Sequence, residues 1–272
     1  MPLAKINQHH LYYEQHGSGK DLVLIGGFTS DHTVWTEMIE SLSKFYRVLI
    51  FDNPCAGRSY IPNGNYSLAS MSSDIVTLLD YLNIEHANFI GHSMGAALLM
   101  QLCIEYSQKV NKAILCGGPA SAPITAKLQV QGLRYAIDHQ FSDEYIALSV
   151  MPWIHGRRFL NDKKRVDKLN ARYINNQYPQ TVEGFRTQAN VVLEFDISSR
   201  LKEIETECLI VASDEDLLIP LHCTQYLKNH IRNSELKIIG EGVGHMVHIE
   251  EPEQLIKLSL NFFQDIPLKI NL

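Results

Sequence analysis

Residues 88–97 read NFIGHSMGAA. A short apolar run, Ala87–Ile90, stops at Gly91. His92, Ser93 and Met94 follow, then Gly95, Ala96 and Ala97, and the chain runs on through Met100, Leu102 and Ile104 as an apolar segment of helical character. A strand that ends in Gly-x-Ser-x-Gly and passes straight into a helix makes a very sharp turn. It holds the serine backbone in a strained conformation and lifts Oγ above the sheet edge. The residues two before and two after the serine pass close to each other and to neighbouring strands, so only glycine or a very small side chain fits. Gly91 and Gly95 supply that, and Ala96 and Ala97 let the helix approach the sheet. The helix N-terminus presents backbone N–H groups to negative charge forming near Ser93. Glycine fills about 7% of positions in proteins, so three fixed residues recur by chance in roughly one chain of this size in ten. The strand before and the helix after are therefore what decide the reading.

Outward from this turn, two kinds of segment alternate. Short apolar runs at Leu22–Ile25, Val48–Phe51, Ala87–Ile90, Ala113–Cys116, Leu209–Ala212 and Leu236–Ile239 read as strands. Between them lie helical spacings, such as Leu68, Met71, Ile75, Leu78, Leu79 and Leu82, which repeat on one face. Leu255–Phe263 is another, opened by Pro252 at a first helical position. The alternation predicts an α/β fold, a mostly parallel twisted sheet with helices on both faces. It fails between about Pro119 and Asp196, where helix-like pieces follow one another at Ala126–His139, Asp143–Met151, Val166–Asn175 and Val182–Leu193. The expected organisation is a core of residues 1–119 and 196–272, with a helical cap of residues 120–195 inserted between its two halves.

The chain has 272 residues, 45% apolar and 20% charged, enough for a core that needs no metal or disulfide to fold. Net charge is −6 and no Lys/Arg stripe stands out, so a nucleic-acid partner is not expected. The stretch Arg157, Arg158, Lys163, Lys164 and Arg165, broken by Asp162, reads as a solvated face. No apolar run approaches the ~20 residues of a membrane span, and the N-terminal MPLAKINQHH lacks the apolar centre of a signal peptide. Five cysteines at 55, 103, 116, 208 and 223 show no CxxC spacing, which points to a reducing compartment. The expectation is a soluble, cytoplasmic protein.

A serine hydroxyl needs a base to become a nucleophile. On a sheet of this kind the partners come in the order serine, acid, histidine, each on a loop after a later strand. After Leu209–Ala212 comes SDEDLLIP, with Asp214, Glu215 and Asp216. After Leu236–Ile239 comes GEGVGHMVHIEEPEQL, with His245 in a glycine-rich loop. His245 is placed to take the Ser93 proton and return it to a leaving group.

With these residues in view, the chain resembles the α/β-hydrolase fold enzymes of the small, cofactor-free esterase and lactonase type, from about Leu11 to Phe263. In such proteins a proline commonly stands four residues after the acid, which assigns that role to Asp216, ahead of Pro220, over Asp214 and Glu215. The resemblance implies an oxyanion hole from the backbone N–H groups of Met94 and of Phe28 in the loop GGFTSDHTVW. Gly26 stands where the family usually has histidine, so that loop is expected to be held less firmly. In DNPCAGRS, residues 52–59, Pro54 and Cys55 replace the usual Arg and Gly, a change that bears on the rim of the pocket. The implied activity is cleavage of a small carboxylic ester or lactone through Ser93, His245 and Asp216, with no cofactor and no metal.

Other readings of the same residues are less economical. His245 and His248 lack a third ligand with metal spacing. His92 reads as a packing residue, and Cys55 either as a reactive thiol at the mouth or as an inert small residue. Met246 follows His245 where carbon–carbon bond hydrolases of this fold usually carry Trp. Perhydrolase activity is expected only as a side reaction, and a small-molecule receptor that keeps the triad is the alternative from a different class. Trp35, Trp153 and Tyr135 are the candidates for the substrate pocket, with Phe159 and Tyr145 as further aromatic residues near it or in the cap.

Overall fold

Each of the six apolar runs is a strand, and together they form the parallel part of one sheet. The computed structural model describes residues 3–6 and 9–264. Its strands are β1 Leu3–Ile6, β2 His9–His16, β3 Lys20–Ile25, β4 Tyr46–Phe51, β5 Ala87–His92, β6 Val110–Cys116, β7 Glu207–Ser213 and β8 Ser234–Ile239. They lie in the order β1-β2-β4-β3-β5-β6-β7-β8. From β4 to β8 the pairings are parallel, while β1–β2 and β2–β4 are antiparallel. The first two strands escape the sequence pattern because HHLYYEQH is an antiparallel strand near the sheet's edge and carries few apolar residues.

The parallel strands are apolar on both faces because both faces are covered. Val23, Ile25, Leu49, Phe51, Phe89, Leu115 and Ile210 belong to one core cluster. Their strand neighbours Leu22, Leu24, Val48, Ile50, Ile90, Ile114 and Leu209 belong to the other, as the two-residue period of a strand requires. The first face is packed by α2 Leu68–Tyr81, α3 Met94–Glu105 and α9 Leu221–His230, the second by α1 Thr36–Leu42, α10 Val247–Glu250 and α11 Pro252–Phe263. Ser67 caps α2 by accepting the Ser70 N–H, and Pro252 opens α11.

Between β6 and β7 the chain makes α4 Ile124–Asp138, α5 Asp143–Ile154, α6 Arg157–Leu160, α7 Lys163–Ile174 and α8 Val182–Glu194. The excursion leaves and returns at one neck, where Ser121 and Asp196 form an isolated antiparallel bridge and Ile197 N–H donates to Ala120 O at 2.9 Å. Helix α5 runs one turn beyond the expected Met151, through Pro152, and ends where His155 N–H bonds Met151 O. Of the core expected at 1–119 and 196–272, positions 1–2, 7–8 and 265–272 lie outside the described residues. No described helix is long and apolar enough to cross a membrane.

Phe89 on β5 is fully buried in the middle of the sheet. Phe89→Ala is expected to lower the unfolding free energy by about 3–5 kcal/mol, read in urea titrations as a fall in midpoint with an unchanged slope.

Candidate active site

The turn after β5 is as tight as its glycines suggest. A Cβ on Gly91 would lie 2.4 Å from Gly95 O, and a Cβ on Gly95 would lie 2.2 Å from Ile25 O on the neighbouring strand. Ser93 sits at φ 57°, ψ −118°, a region that costs a non-glycine residue about 1–3 kcal/mol and persists only where the surroundings enforce it. Three backbone hydrogen bonds do so: Ser93 N–H donates to Cys116 O at 2.8 Å, and Ser93 O accepts from Ala96 and Ala97 at 3.0 and 3.2 Å.

The three acids after β7 have three different partners. Asp216 Oδ2 accepts from His245 Nδ1 at 2.7 Å, with both side chains 3% exposed. Its Oδ1 accepts the N–H groups of Leu218 and Ile219 at 3.0 and 2.8 Å. Asp214 instead accepts Gly242 and Val243 N–H and so ties down the loop that carries His245. Burial pushes the Asp214 carboxyl up, but those backbone donors outweigh it and hold it below the usual range. Glu215 pairs with Arg157. A carboxylate accepts, so His245 carries its proton on Nδ1 and leaves Nε2 bare. Room for the ring comes from Gly117 at φ 53°, where a Cβ would lie 3.1 Å from His245 Cε1. Ser93 and His245 line one cavity. Among the described residues no hydrogen bond joins Ser93 Oγ to the ring, a looseness common before substrate binds.

Phe28 and Met94 line the same cavity, and neither N–H is taken up by a hydrogen bond among the described residues. The loop that holds Phe28 is anchored without the histidine that Gly26 replaces. Asn53 Nδ2 donates to Gly26 O at 2.9 Å, and fully buried Gln188 on α8 accepts Thr29 N–H at 3.1 Å. Gln188 also donates to Pro54 O at 2.8 Å and accepts from Gln180 at 2.9 Å. Cys55 is buried, and desolvation pushes its thiol up to about 12, so it is the inert residue and not the reactive thiol.

Two histidines lie behind His245. His92 Nε2 donates to the backbone carbonyl of His245 at 2.9 Å. The His92 and His248 rings meet at a tilt with centroids 4.3 Å apart, as do those of His248 and Trp35 at 4.8 Å. Burial, reinforced by the neighbouring histidines, holds His92 well below the ordinary value; burial, with His245 and the Arg172 charge, holds His248 down to about 3. Glu250, also buried, accepts His155 Nδ1 at 3.0 Å, Gly156 N–H at 3.3 Å and Gly244 N–H at 2.9 Å. That one carboxylate bridges the insert to the loop of His245. Gln188, Asn53 and Glu250 were not read from the sequence, since each acts across a long chain separation. A group with metal-ligand spacing, Asp31, His32 and Asp52, includes one residue of the cavity wall, Asp31. Its Asp52 oxygens already accept His32 N–H, His32 Nδ1 and Arg58 N–H.

The cavity has a volume of about 340 Å³ and runs between the sheet edge and α4, α5 and α8, with Val130, Leu133, Ile146, Val150 and Val192 on its walls. The three aromatic candidates do not line it, and helix phase gives the reason. On α5 the wall is Asp143, Ile146, Ala147, Val150, Met151 and Ile154, a stripe that excludes Trp153. On α4 it is Ala126, Gln129, Val130 and Leu133, and Tyr135 turns outward, stacked on His139. Trp35 is buried in the core against His248. Phe159 is likewise buried, stacked on His155, and Tyr145 is exposed.

Comparison with known proteins agrees with this fold. Residues 21–252 match the model of the alpha/beta hydrolase fold family. The chain is 29% identical over 264 residues to a protein of Caulobacter sp. strain K31 described as "Putative carbamate hydrolase RutD", covering 93% of this chain and 95% of that one. It superposes on MGS-M2, an alpha/beta hydrolase enzyme from a Medee basin deep-sea metagenome library, at TM-score 0.89 and 22% identity, over 100% of both chains. It superposes on the enol-lactonase of Burkholderia xenovorans LB400 at TM-score 0.85 and 22% identity, over 97% of this chain and 100% of that one.

Glu250→Ala strands three buried donors at about 1–3 kcal/mol each. It is expected to destabilise the fold by about 3 kcal/mol or more, measured by urea denaturation. The buried histidines make stability pH-dependent. Unfolded histidine titrates near 6.5, whereas folded His248 titrates at about 3. Below pH 6.5 the unfolded chain therefore binds protons that the folded chain does not. Stability complete above 6.5 is lost as pH falls toward 3, by about 1.4 kcal/mol per pH unit for each such histidine. His248→Phe is expected to remove one such increment from the slope of unfolding free energy against pH between 6 and 4.

Proposed function

Because the chain belongs to the alpha/beta hydrolase fold family, we propose that it is a serine hydrolase of small carboxylic esters or lactones, with Ser93, His245 and Asp216 as its catalytic residues. One observation carries the reading. The 2.7 Å His245–Asp216 pair and the positive-φ Ser93 open onto one cavity of about 340 Å³. Residues 120–195 serve as the cap over that cavity and the remainder as the core.

In this mechanism His245 Nε2 takes the Ser93 Oγ proton as Oγ attacks the substrate carbonyl carbon. The C=O electron pair moves to oxygen, which the Phe28 and Met94 N–H groups bind, each worth about 3–4 kcal/mol at the transition state. The pair returns, the C–O bond to the alcohol breaks, and the alkoxide leaves with the proton from His245. In a lactone the ring opens at this step. Water then yields a proton to His245 and adds to the acyl-enzyme. Collapse expels Ser93, which recovers the proton, and frees the acid. Asp216 fixes the His245 tautomer and stabilises the imidazolium. The sequence as written needs no metal or cofactor. The same attack suits a carbamate carbonyl, which the name of the Caulobacter relative brings into the assay.

4-Nitrophenyl esters from acetate to octanoate, with a 4-nitrophenyl carbamate beside them, are the test. Sustained turnover is expected in the wild type, with kcat lowered by about 10⁴-fold or more in Ser93→Ala and by about 10⁴-fold in Asp216→Asn. A folded wild-type protein that neither turns over these substrates nor is labelled by a fluorophosphonate at Ser93 would overturn the assignment.

A further inference from the structure

We infer that Arg172 binds a carboxylate carried by the substrate, so that the natural substrate is an anionic ester or lactone. The inference rests on the serine hydrolase reading for the reaction, though the carboxylate site itself does not.

Arg172, on α7, lines the cavity that Ser93 and His245 open onto, and it is the single Lys or Arg among the residues lining that cavity. It is half-buried. Among the described residues no carboxylate comes within ion-pair distance of it and no hydrogen bond fills its guanidinium. Its neighbours are the adjacent Tyr173 ring, 5.9 Å away, and buried His248, whose protonated form its charge disfavours. The other arginines do not behave this way. Arg47, Arg58, Arg134, Arg157, Arg158, Arg186 and Arg200 each have a carboxylate partner, and Arg165 donates to the Ile249 and Glu250 carbonyls. Arg232 also has none, but it is exposed at the surface. Arg172 is thus a cation without an acid partner on a wall made largely of apolar side chains.

The acids on the cavity wall do not neutralise it. Asp31 is committed elsewhere, with Oδ1 accepting Thr33 N–H at 2.8 Å and Oδ2 accepting Asn176 Nδ2 at 2.9 Å. Asp143 stands in the exposed first turn of α5. A second donor faces the same lack. Gln129 lines the cavity from α4, and its buried Nε2 has no acceptor. Two donors on this wall without acceptors of their own, Arg172 and Gln129, suit a group that only accepts, and a planar carboxylate matches the guanidinium fork two bonds at a time. A phosphate dianion would call for more than the one cation present.

Two matched substrate pairs test the assignment. In the first, mono-4-nitrophenyl adipate is set against 4-nitrophenyl hexanoate, with the charge on the acyl side. In the second, 4-acetoxybenzoate is set against 4-acetoxybenzamide, with the charge on the leaving group. The wild type is expected to favour the anion in kcat/KM by roughly tenfold or more in at least one pair. The ratio should collapse toward one in Arg172→Met and be partly kept in Arg172→Lys. Binding is read separately from turnover. Adipate, and not adipamide, should raise the melting temperature of Ser93→Ala protein and lose that effect when Arg172→Met is added. Ser93-dependent turnover with no charge preference, or a preference that survives Arg172→Met, overturns the inference and leaves the hydrolase reading standing. Adipate stabilisation through Arg172 without any ester turnover does the reverse.

Discussion

Everything at this site depends on how closely the chain passes itself at Gly95. With hydrogen in place of Cβ, the start of α3 lies against the Ile25 carbonyl at the end of β3, and Gly91 lies against the Gly95 carbonyl. These approaches, with the Cys116 carbonyl on β6, leave Ser93 no relaxed conformation. The strain is held by β3, β5 and β6, neighbours in the middle of the sheet. The same approach sets Phe28, three residues beyond β3, and Met94, the first residue of α3, on one cavity wall. One steric constraint thus positions the serine and both backbone donors.

The other side chains reach the cavity because parallel strands end at the same edge. β7 delivers Asp216 and β8 delivers His245, on loops 29 residues apart in sequence. Those loops are stiffened by groups that do no chemistry. Asp214 holds Gly242 and Val243, Glu250 holds Gly244, and His92 holds the His245 carbonyl. A catalytic ring placed by packing and second hydrogen bonds is kept near its working geometry without relying on the loop itself.

The parts of this arrangement that were legible in the sequence are those encoded locally. Gly91-His92-Ser93-Met94-Gly95 announces the turn because a strand, a helix and two glycines sit within a few residues. The parallel strands announce themselves by continuous apolar runs. Choosing Asp216 over Asp214 needed the resemblance, through Pro220; in the structure it is Asp216 that pairs with His245, while Asp214 accepts from Gly242. Interactions between distant segments were not legible. Nothing near Gln188 in sequence shows that it anchors Thr29, 159 residues away. Trp153 and Tyr135 misled because size and apolarity suggest a pocket, whereas the phase of each helix decides what faces it. Nothing in the helix-like piece Val166–Asn175 shows that Arg172 faces a cavity formed by distant segments.

The crossing of Gly156 over Gly244 has a mechanical meaning. A Cβ on Gly156 would lie 2.2 Å from Gly242 O, and one on Gly244 would lie 2.3 Å from Gly156 N, with Glu250 bonded to both glycine N–H groups. The insert is therefore riveted to the His245 loop near the end of α5. Displacing the insert there would shift the His245 loop with it, whereas the opposite end of α5, near exposed Phe141 and Tyr145, has no hydrogen bond to that loop among the described residues.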